Sequence, residues 1–452
     1  MFGNIARIVA QFRQSWGNEL EDEAIIRACQ EAGHTWRERE LGPVATVKMF
    51  FLQIVFGNVA CNHVPHLAGK DVTGSAYCTA RGRLPLPALQ TLLSRCTTKM
   101  AECVRGTGLW LGHRLFVLDG SSFSMPDTPE LQEHFGQPGG QAAGCGFPTA
   151  HWLALVHFGS GLFQKVITAP LRTHDLNGVT QLHPELEAGD VVLGDRAFGS
   201  FGHVALLVSR SVQGIFRTHQ KLLVDFTPGR PHAVPGQGKG AAHKGKPRSK
   251  WIASLGPFDQ IVEWFRPLEA PAWLTAEAWA ALPASIRVRE LRYTIARPGF
   301  RVHTITLTTT LLDPVRYPQE KLAEAYGLRW TIETCLWHIK TTMKMDVLRG
   351  QPVRGIEKEL TMFLLVYNLV RMTVLEAAKR QGVPPERISF VDALRWLATA
   401  KLGDELPDLV INPHRPGRIE PRARKRRPKN FPLMKKPRAA LQQDLRAQAL
   451  RA

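Results

Sequence analysis

One stretch of the chain reads Tyr326-Gly-Leu-Arg329-Trp330-Thr-Ile-Glu333-Thr-Cys-Leu-Trp337-His-Ile-Lys340. At about 100° per residue in a helix, Tyr326, Arg329, Glu333, Trp337 and Lys340 fall within an arc of roughly 80°. One face then presents a carboxylate among two cations and two aromatics. An i, i+4 ion pair between Arg329 and Glu333 accounts for those two residues and leaves the other three unexplained. Two more carboxylates, Asp119 and Asp195, close short apolar runs, Leu115 to Leu118 and Asp190 to Gly194. Each is followed by turn residues, Asp119-Gly-Ser-Ser and Asp195-Arg-Ala-Phe-Gly. Functional groups of α/β sheets gather at the carboxyl ends of strands. A single strand-end aspartate is more often a turn or a cap, so the case rests on all three acids together. Asp127 competes with Asp119, but its setting, Met-Pro-Asp-Thr-Pro, reads as a loop.

These residue types suit phosphodiester chemistry. Cleavage needs an activated water or 3′-hydroxyl and a stabilised leaving oxygen, and two divalent ions roughly 3.5–4 Å apart supply both. Mg²⁺ takes oxygen ligands and keeps several waters, so a few carboxylates suffice. Arg329 and Lys340 would hold phosphates, the arginine bidentately and the lysine as a point charge. Tyr326 or a tryptophan would orient sugar or stack on an unpaired base.

The elements that must position these groups follow from pattern. The chain has 452 residues, 44 % of them hydrophobic, enough for two or three packed units. Residues 1–105 carry apolar side chains at helical spacing, as in Glu21 to Ala32 and Pro87 to Val104. A helix-turn-helix reader of DNA ends and a plain helical packing domain fit them equally. Residues 106–218 alternate strands with helix, with strands at His151 to Phe158, Phe163 to Ile167 and Gly214 to Thr218. A loop rich in Gly, Pro and Ser is expected from Asp119-Gly120 to about Pro148. Residues 219–315 begin with a Gly/Pro/Lys-rich loop, Lys221 to Lys250. They end in two alternating runs, Arg287 to Ala296 and Arg301 to Thr310, turned at Pro298-Gly299. Residues 316–412 hold one long helix from Pro318 to about Met345 and a more apolar one from Glu357 to Arg380. Residues 413–452 form a basic tail: Arg415 to Arg438 has eleven Lys or Arg, one acid (Glu420) and five prolines. Such a segment cannot bury enough surface to fold alone.

Lys and Arg number 58 against 39 acids, a net charge of +19 with a pI near 10.0, which attracts polyanions through phosphate neutralisation. Seven cysteines without CxxC spacing argue against a disulfide framework and for reduced thiols. Cys61-Asn-His63-Val-Pro-His66 lacks a second half and reads as a helix end. The longest apolar run, Met362 to Val370, is too short to span a bilayer. With no signal-peptide pattern at Met1, the expected compartment is the cytoplasm. Gly240-Ala-Ala-His-Lys-Gly245-Lys246-Pro247 approaches a phosphate-binding loop. Proline replaces the hydroxyl residue and no strand precedes it, so it reads as a basic loop.

The order Tyr, two residues, Arg, three residues, Glu, six residues, Lys resembles the YREK signature of transposases of the insertion-sequence-four family. Val117 to Glu130 is similar to that family's first-aspartate region, and Gly194 to Phe198 to its second. Val72 to Pro85 and Glu359 to Arg371 resemble flanking blocks, so the likeness runs from about residue 40 to the basic tail. It implies an α/β fold: an RNase H-like mixed-sheet core with a β-rich insertion, a helical N-terminal domain and a helical C-terminal region. It implies a DDE triad of Asp119, Asp195 and Glu333 on two ions of Mg²⁺ (or Mn²⁺), with Tyr326, Arg329, Lys340 and Trp330 at the DNA. The separations, 76 and 138 residues, leave room for the insertion in the second gap. The implied activity is cut-and-paste transposition of double-stranded DNA by a homodimer at paired ends, in a prokaryotic, nucleoid-associated protein. A hairpin intermediate with a flipped base on a tryptophan is part of that expectation, Trp251, Trp264 and Trp330 being candidates. A degenerate DNA-binding scaffold and a nuclease that cleaves without joining are the alternatives.

Overall fold

The structure is a computed structural model and describes residues 17–173, 176–233, 245–295, 303–400, 404–413 and 434–450. Helices α1 (Asp22–Glu31), α2 (Pro43–Val55), α3 (Val64–Ala68), α4 (Gly74–Arg83) and α5 (Leu86–Val104) precede the first strand. Thr73 caps α4, its hydroxyl accepting from the Ala76 N–H at 3.1 Å. An antiparallel meander follows, β1 (Leu115–Ser124), β2 (Thr149–His157) and β3 (Leu162–Pro170), with α6 (Pro129–Phe135) between its first two strands. After α7 (Leu176–Val179) come β4 (Val191–Gly194), α8 (Phe201–Ser209) and β5 (Gln213–Arg217). β4 pairs parallel with both β1 and β5. This five-strand part is the RNase H-like core expected from the sequence.

Four more strands continue the same sheet. They are β6 (Lys250–Gly256), β7 (Asp259–Phe265), β8 (Ser285–Ile295) and β9 (His303–Thr309), with α9 (Ala276–Ala280) between β7 and β8. The strand order is β3-β2-β1-β4-β5-β9-β8-β7-β6, joined where β9 pairs antiparallel with β5. The expected pairing of β8 with β9 is present, while its turn at Pro298-Gly299 lies outside the described residues. So do residues 240–244 of the basic loop and 414–433 of the tail.

Period-two alternation splits each core strand between two apolar layers. Leu115, Val117, Val191 and Leu193 face one core, and Phe116, Leu118 and Val192 face the other, with α8. Leu115 to Leu118 are at most 2 % exposed, and each such side chain contributes about 1.5–3 kcal/mol by burial. The β1 segment that delivers Asp119 is thus firmly held. The first core is completed by α10 (Gln319–Gly327), α11 (Trp330–Trp337), α12 (Val353–Gln381) and α13 (Phe390–Thr399). Among the described residues α12 alone is long and apolar enough to cross a bilayer, and 89 % of its most apolar window is buried in protein. A helix apolar on all sides belongs inside a core.

Three expectations are corrected. β1 does not end at Asp119-Gly120. It continues to Ser124, because β2 still offers a ladder there after β4 has stopped. The loop to Pro148 also contains α6. The single helix from Pro318 to Met345 is broken at Leu328-Arg329, where Thr331 and Ile332 donate to residues three back, Leu328 and Arg329. It then widens into a π turn, His338–Thr342, and stops at Lys344, whose φ is +62°.

Candidate active site

The parallel register of β1 and β4 ends at Leu118 opposite Gly194. Asp119 and Asp195 are the next residues on these neighbouring strands. By alternation Asp119 follows Leu115 and Val117, and Asp195 follows Val191 and Leu193. Both parities point to the core that Ile332, Cys335, Leu336 and Ile339 also enter. The two aspartates therefore emerge under α11, the helix that carries Glu333 in its first turn. A carboxylate there is favoured by the helix dipole.

Arg329, at the break just before α11, ties the parts together. Its Nη1 lies 3.1 Å from Asp119 Oδ2 and its Nη2 lies 3.5 Å from Glu333 Oε1. The i, i+4 pair read from the sequence is present, and the same guanidinium spans to a strand 210 residues away. The Gly120 N–H donates to Asp119 Oδ1 at 2.9 Å, and the Ala197 N–H to Asp195 Oδ1 at 2.7 Å. Burial pushes the Asp119 carboxyl up to about 6. The Arg329 guanidinium and the Gly120 N–H oppose that rise, while the charges of Asp195 and Glu333 add to it. Asp195 and Glu333 thus each lie within electrostatic reach of Asp119.

Lys340 donates to Ser122 O at 2.7 Å and to Ser121 Oγ at 3.2 Å, so it sits on β1 just past Asp119. Burial holds its ammonium below the usual lysine range. Ser121 and Ser122, expected in a turn, lie on β1 instead. Their role as a perch for Lys340 has no sequence signal beyond the Asp-Gly-Ser-Ser run. Tyr326 is only 8 % exposed, packed beside Arg329 and Asp195, and its hydroxyl is pushed up by burial. Trp330 stands out at 65 % exposure and Trp337 at 53 %. The structure thus gathers Asp119, Asp195, Tyr326, Arg329, Glu333 and Lys340, and leaves the two tryptophans facing outward.

Asp127 is not in this group. It accepts from Gln132 Nε2 at 2.7 Å and pairs with Arg438 of α14 (Arg438–Ala449), whose guanidinium also stacks 4.2 Å over Phe147. Beside Asp195 opens a cavity of about 540 Å³, bordered by Arg196, Ser200, Lys221, Arg248, Trp264 and Glu290. Trp264 donates from Nε1 to Glu290 Oε1 at 3.1 Å.

Hard carboxylate oxygens are the donors Mg²⁺ takes, so the chemistry of the set fits a divalent cation. As arranged, no three His, Cys, Asp or Glu side chains among the described residues converge as ligands, and Arg329 lies between Asp119 and Glu333.

The sequence model described as transposase DDE domain matches residues 110–369. The chain belongs to the DDE transposase family. The match takes in Asp119, Asp195 and the whole span from Tyr326 to Lys340. The transposase is also 26 % identical over 390 residues to the transposase InsG of insertion sequence element IS4 from Escherichia coli K12, across 81 % of this chain and 79 % of that protein. The insertion-sequence-four likeness of the YREK spacing is borne out by that relative. A putative transposase InsZ of the same organism is 29 % identical over 92 residues, 20 % of this chain and 31 % of its own length. The cryo-EM structure of a piggyBac transposase synaptic complex with hairpin DNA superimposes with a TM-score of 0.46 at 8 % identity, over 88 % of this chain and 80 % of that one.

Proposed function

We propose that this transposase cuts and rejoins double-stranded DNA at the ends of an insertion sequence, with Asp119, Asp195 and Glu333 as ligands of two Mg²⁺ ions that Mn²⁺ replaces. The observation that supports this reading is that two register-adjacent aspartates follow β1 and β4 on the side of α11, with Arg329 bridging Asp119 to Glu333 on that helix. When bound, the ions would activate the attacking water or 3′-hydroxyl and stabilise the leaving oxygen.

The rest is work for the chain's own side chains. Lys340, seated on Ser121 and Ser122, brings a fixed positive charge to a phosphate next to the reacting one. Arg329 offers a planar fork for two phosphate oxygens. Tyr326 backs that arginine from the core side. Trp330, mostly exposed beside Arg329, offers an indole face to an unpaired base, whereas Trp264, at the wall of the cavity next to Asp195, is buried in a core. The net charge of +19 supports sequence-independent affinity for the duplex. The working state is a homodimer on two paired ends, cutting and pasting in a nucleoid-bearing cytoplasm.

Purified protein with Mg²⁺ or Mn²⁺ is expected to nick a duplex carrying the inverted repeats that flank its gene. Asp119→Ala, Asp195→Ala and Glu333→Ala should each abolish that nicking. Intact DNA with both metals sinks the reading. Pre-cleaved ends test joining: capture of a target duplex supports transposition, whereas hydrolysis alone supports a nuclease.

A further inference from the structure

The guanidinium of Arg329 sits where a cation is demanded. Asp119, Asp195 and Glu333 place three negative charges in one region, and Arg329 reaches two of them directly, at 3.1 and 3.5 Å. Its side chain is 16 % exposed, against 19 % for Asp119 and 45 % for Glu333, so the bridge is at the mouth of the site. In this arrangement the carboxylates are not gathered as metal ligands. A guanidinium such as that of Arg329 also forks onto two oxygens of a phosphate. It cannot serve both partners with the same N–H groups.

The residue's place in the chain leaves room around it. It lies at the break between α10 and α11, and nothing stands within 4 Å of where a Cβ on Gly327 would be. The arginine stem is long, and its head group is held by carboxylates at the mouth of the site.

We propose that Arg329 is an internal stand-in for the metal: it holds Asp119 and Glu333 in the DNA-free protein, leaves them when divalent ions bind, and then takes a DNA phosphate. The guanidinium competes with the ions for the carboxylates, and the phosphate competes with the carboxylates for the guanidinium. DNA therefore draws away the competitor of the metal, and each ligand strengthens the other. Linkage makes the two enhancements equal. The inference rests on the reading of the three acids as a metal site. Its consequence is that the protein binds metal weakly until DNA is in place, which suppresses cleavage away from a properly seated end.

The test is Mn²⁺ binding, read by electron paramagnetic resonance of the free ion, with and without a duplex carrying the gene's flanking end sequence. In the wild type, DNA should tighten Mn²⁺ binding by about 5- to 150-fold, the usual range of coupling between two sites. Arg329→Gln should bind Mn²⁺ more tightly than wild type without DNA, and the DNA enhancement should shrink toward unity. Arg329→Lys, which keeps the charge but loses the fork, should fall between the two. Weaker or unchanged Mn²⁺ binding by folded Arg329→Gln overturns the proposal, as does a full DNA enhancement in that variant. Asp119→Asn and Glu333→Gln tell the two failures apart. If neither weakens Mn²⁺ binding, the metal-site reading itself falls; if both do while Arg329→Gln behaves as wild type, only the stand-in role falls.

Discussion

Two arginines in this molecule each face a carboxylate, and they end differently. Arg81 on α4 meets Glu359 on α12, 278 residues away, with Nη1 3.2 Å from Oε1. Glu359 is fully buried, and its other oxygen accepts from Arg349 N at 2.8 Å and Asn58 Nδ2 at 3.3 Å. Arg81 also donates to Gln53 Oε1 at 3.0 Å, which takes the Tyr77 hydroxyl at 2.8 Å, and its guanidinium lies 5.1 Å over Phe50. Here one negative charge meets one positive charge, with further hydrogen bonds around both. At the candidate active site two carboxylates, Asp119 and Glu333, share Arg329 beside the charge of Asp195, and Lys340 is spent on Ser121 and Ser122. That network locks α2, α4 and α12 together, with both Glu359 oxygens engaged. A site left with surplus charge is built for a ligand. The difference lies in the bookkeeping of charge, since the residue types are the same.

Unfolding measurements should break or sharpen that contrast most strongly. Glu359→Ala leaves Arg81 buried without its partner and should cost about 3–5 kcal/mol of stability, measured by urea denaturation. Asp119→Asn should cost under about 1 kcal/mol by the same assay while removing cleavage, because it relieves like-charge crowding. Equal losses from the two would erase the distinction between scaffold and site.

Acid should reveal the scaffold next. His183 and His203 stack 5.2 Å apart, and burial holds them down to about 3 and about 4, with Nδ1 of His203 on Phe198 O at 2.8 Å. Their folded values lie below the unfolded value of about 6.5, so the unfolded chain takes up protons first as pH falls. The stability they confer is complete above pH ~6.5 and is lost toward pH ~4, on the order of 3 kcal/mol for His203 alone. A melting series from pH 7 to pH 4 should show that slope, and His203→Phe should flatten it. The smallest effect belongs to the exposed pair Lys99–Glu102 at 3.4 Å, where Lys99→Ala should leave the melting temperature unchanged within error.

Much of the site is legible in sequence because its parts are local. Apolar runs announced β1 and β4 and the acids at their ends, and the spacing around Glu333 announced a shared face. The long-range bonds are not local. Nothing near Arg329 says that it reaches β1, and nothing near Glu359 says that it meets Arg81. The strands β6 and β7 carry no clear local signal because they follow a Gly/Pro/Lys-rich stretch and gain their stability from pairing, β7 with β8 and β6 with β7. The break at Leu328-Arg329 and the π turn at His338 also defeat a uniform helical wheel. Arg329 and Lys340 still reach β1, since each is aimed by its own partner there. The scaffold's polar network was the least legible, since Arg81 and Glu359 look like ordinary helix-surface charges until their neighbours are known.

The three acids of the candidate site are spread over 214 residues of chain, from Asp119 to Glu333, and the core helix α12 follows later still. At a synthesis rate of about 5–20 residues per second, roughly 10–40 s pass between translation of the first acid and the last. A chain cut short anywhere in that interval carries Asp119 without Glu333 and without α12. The three acids can therefore meet only in a chain translated past α11, about three quarters of its length.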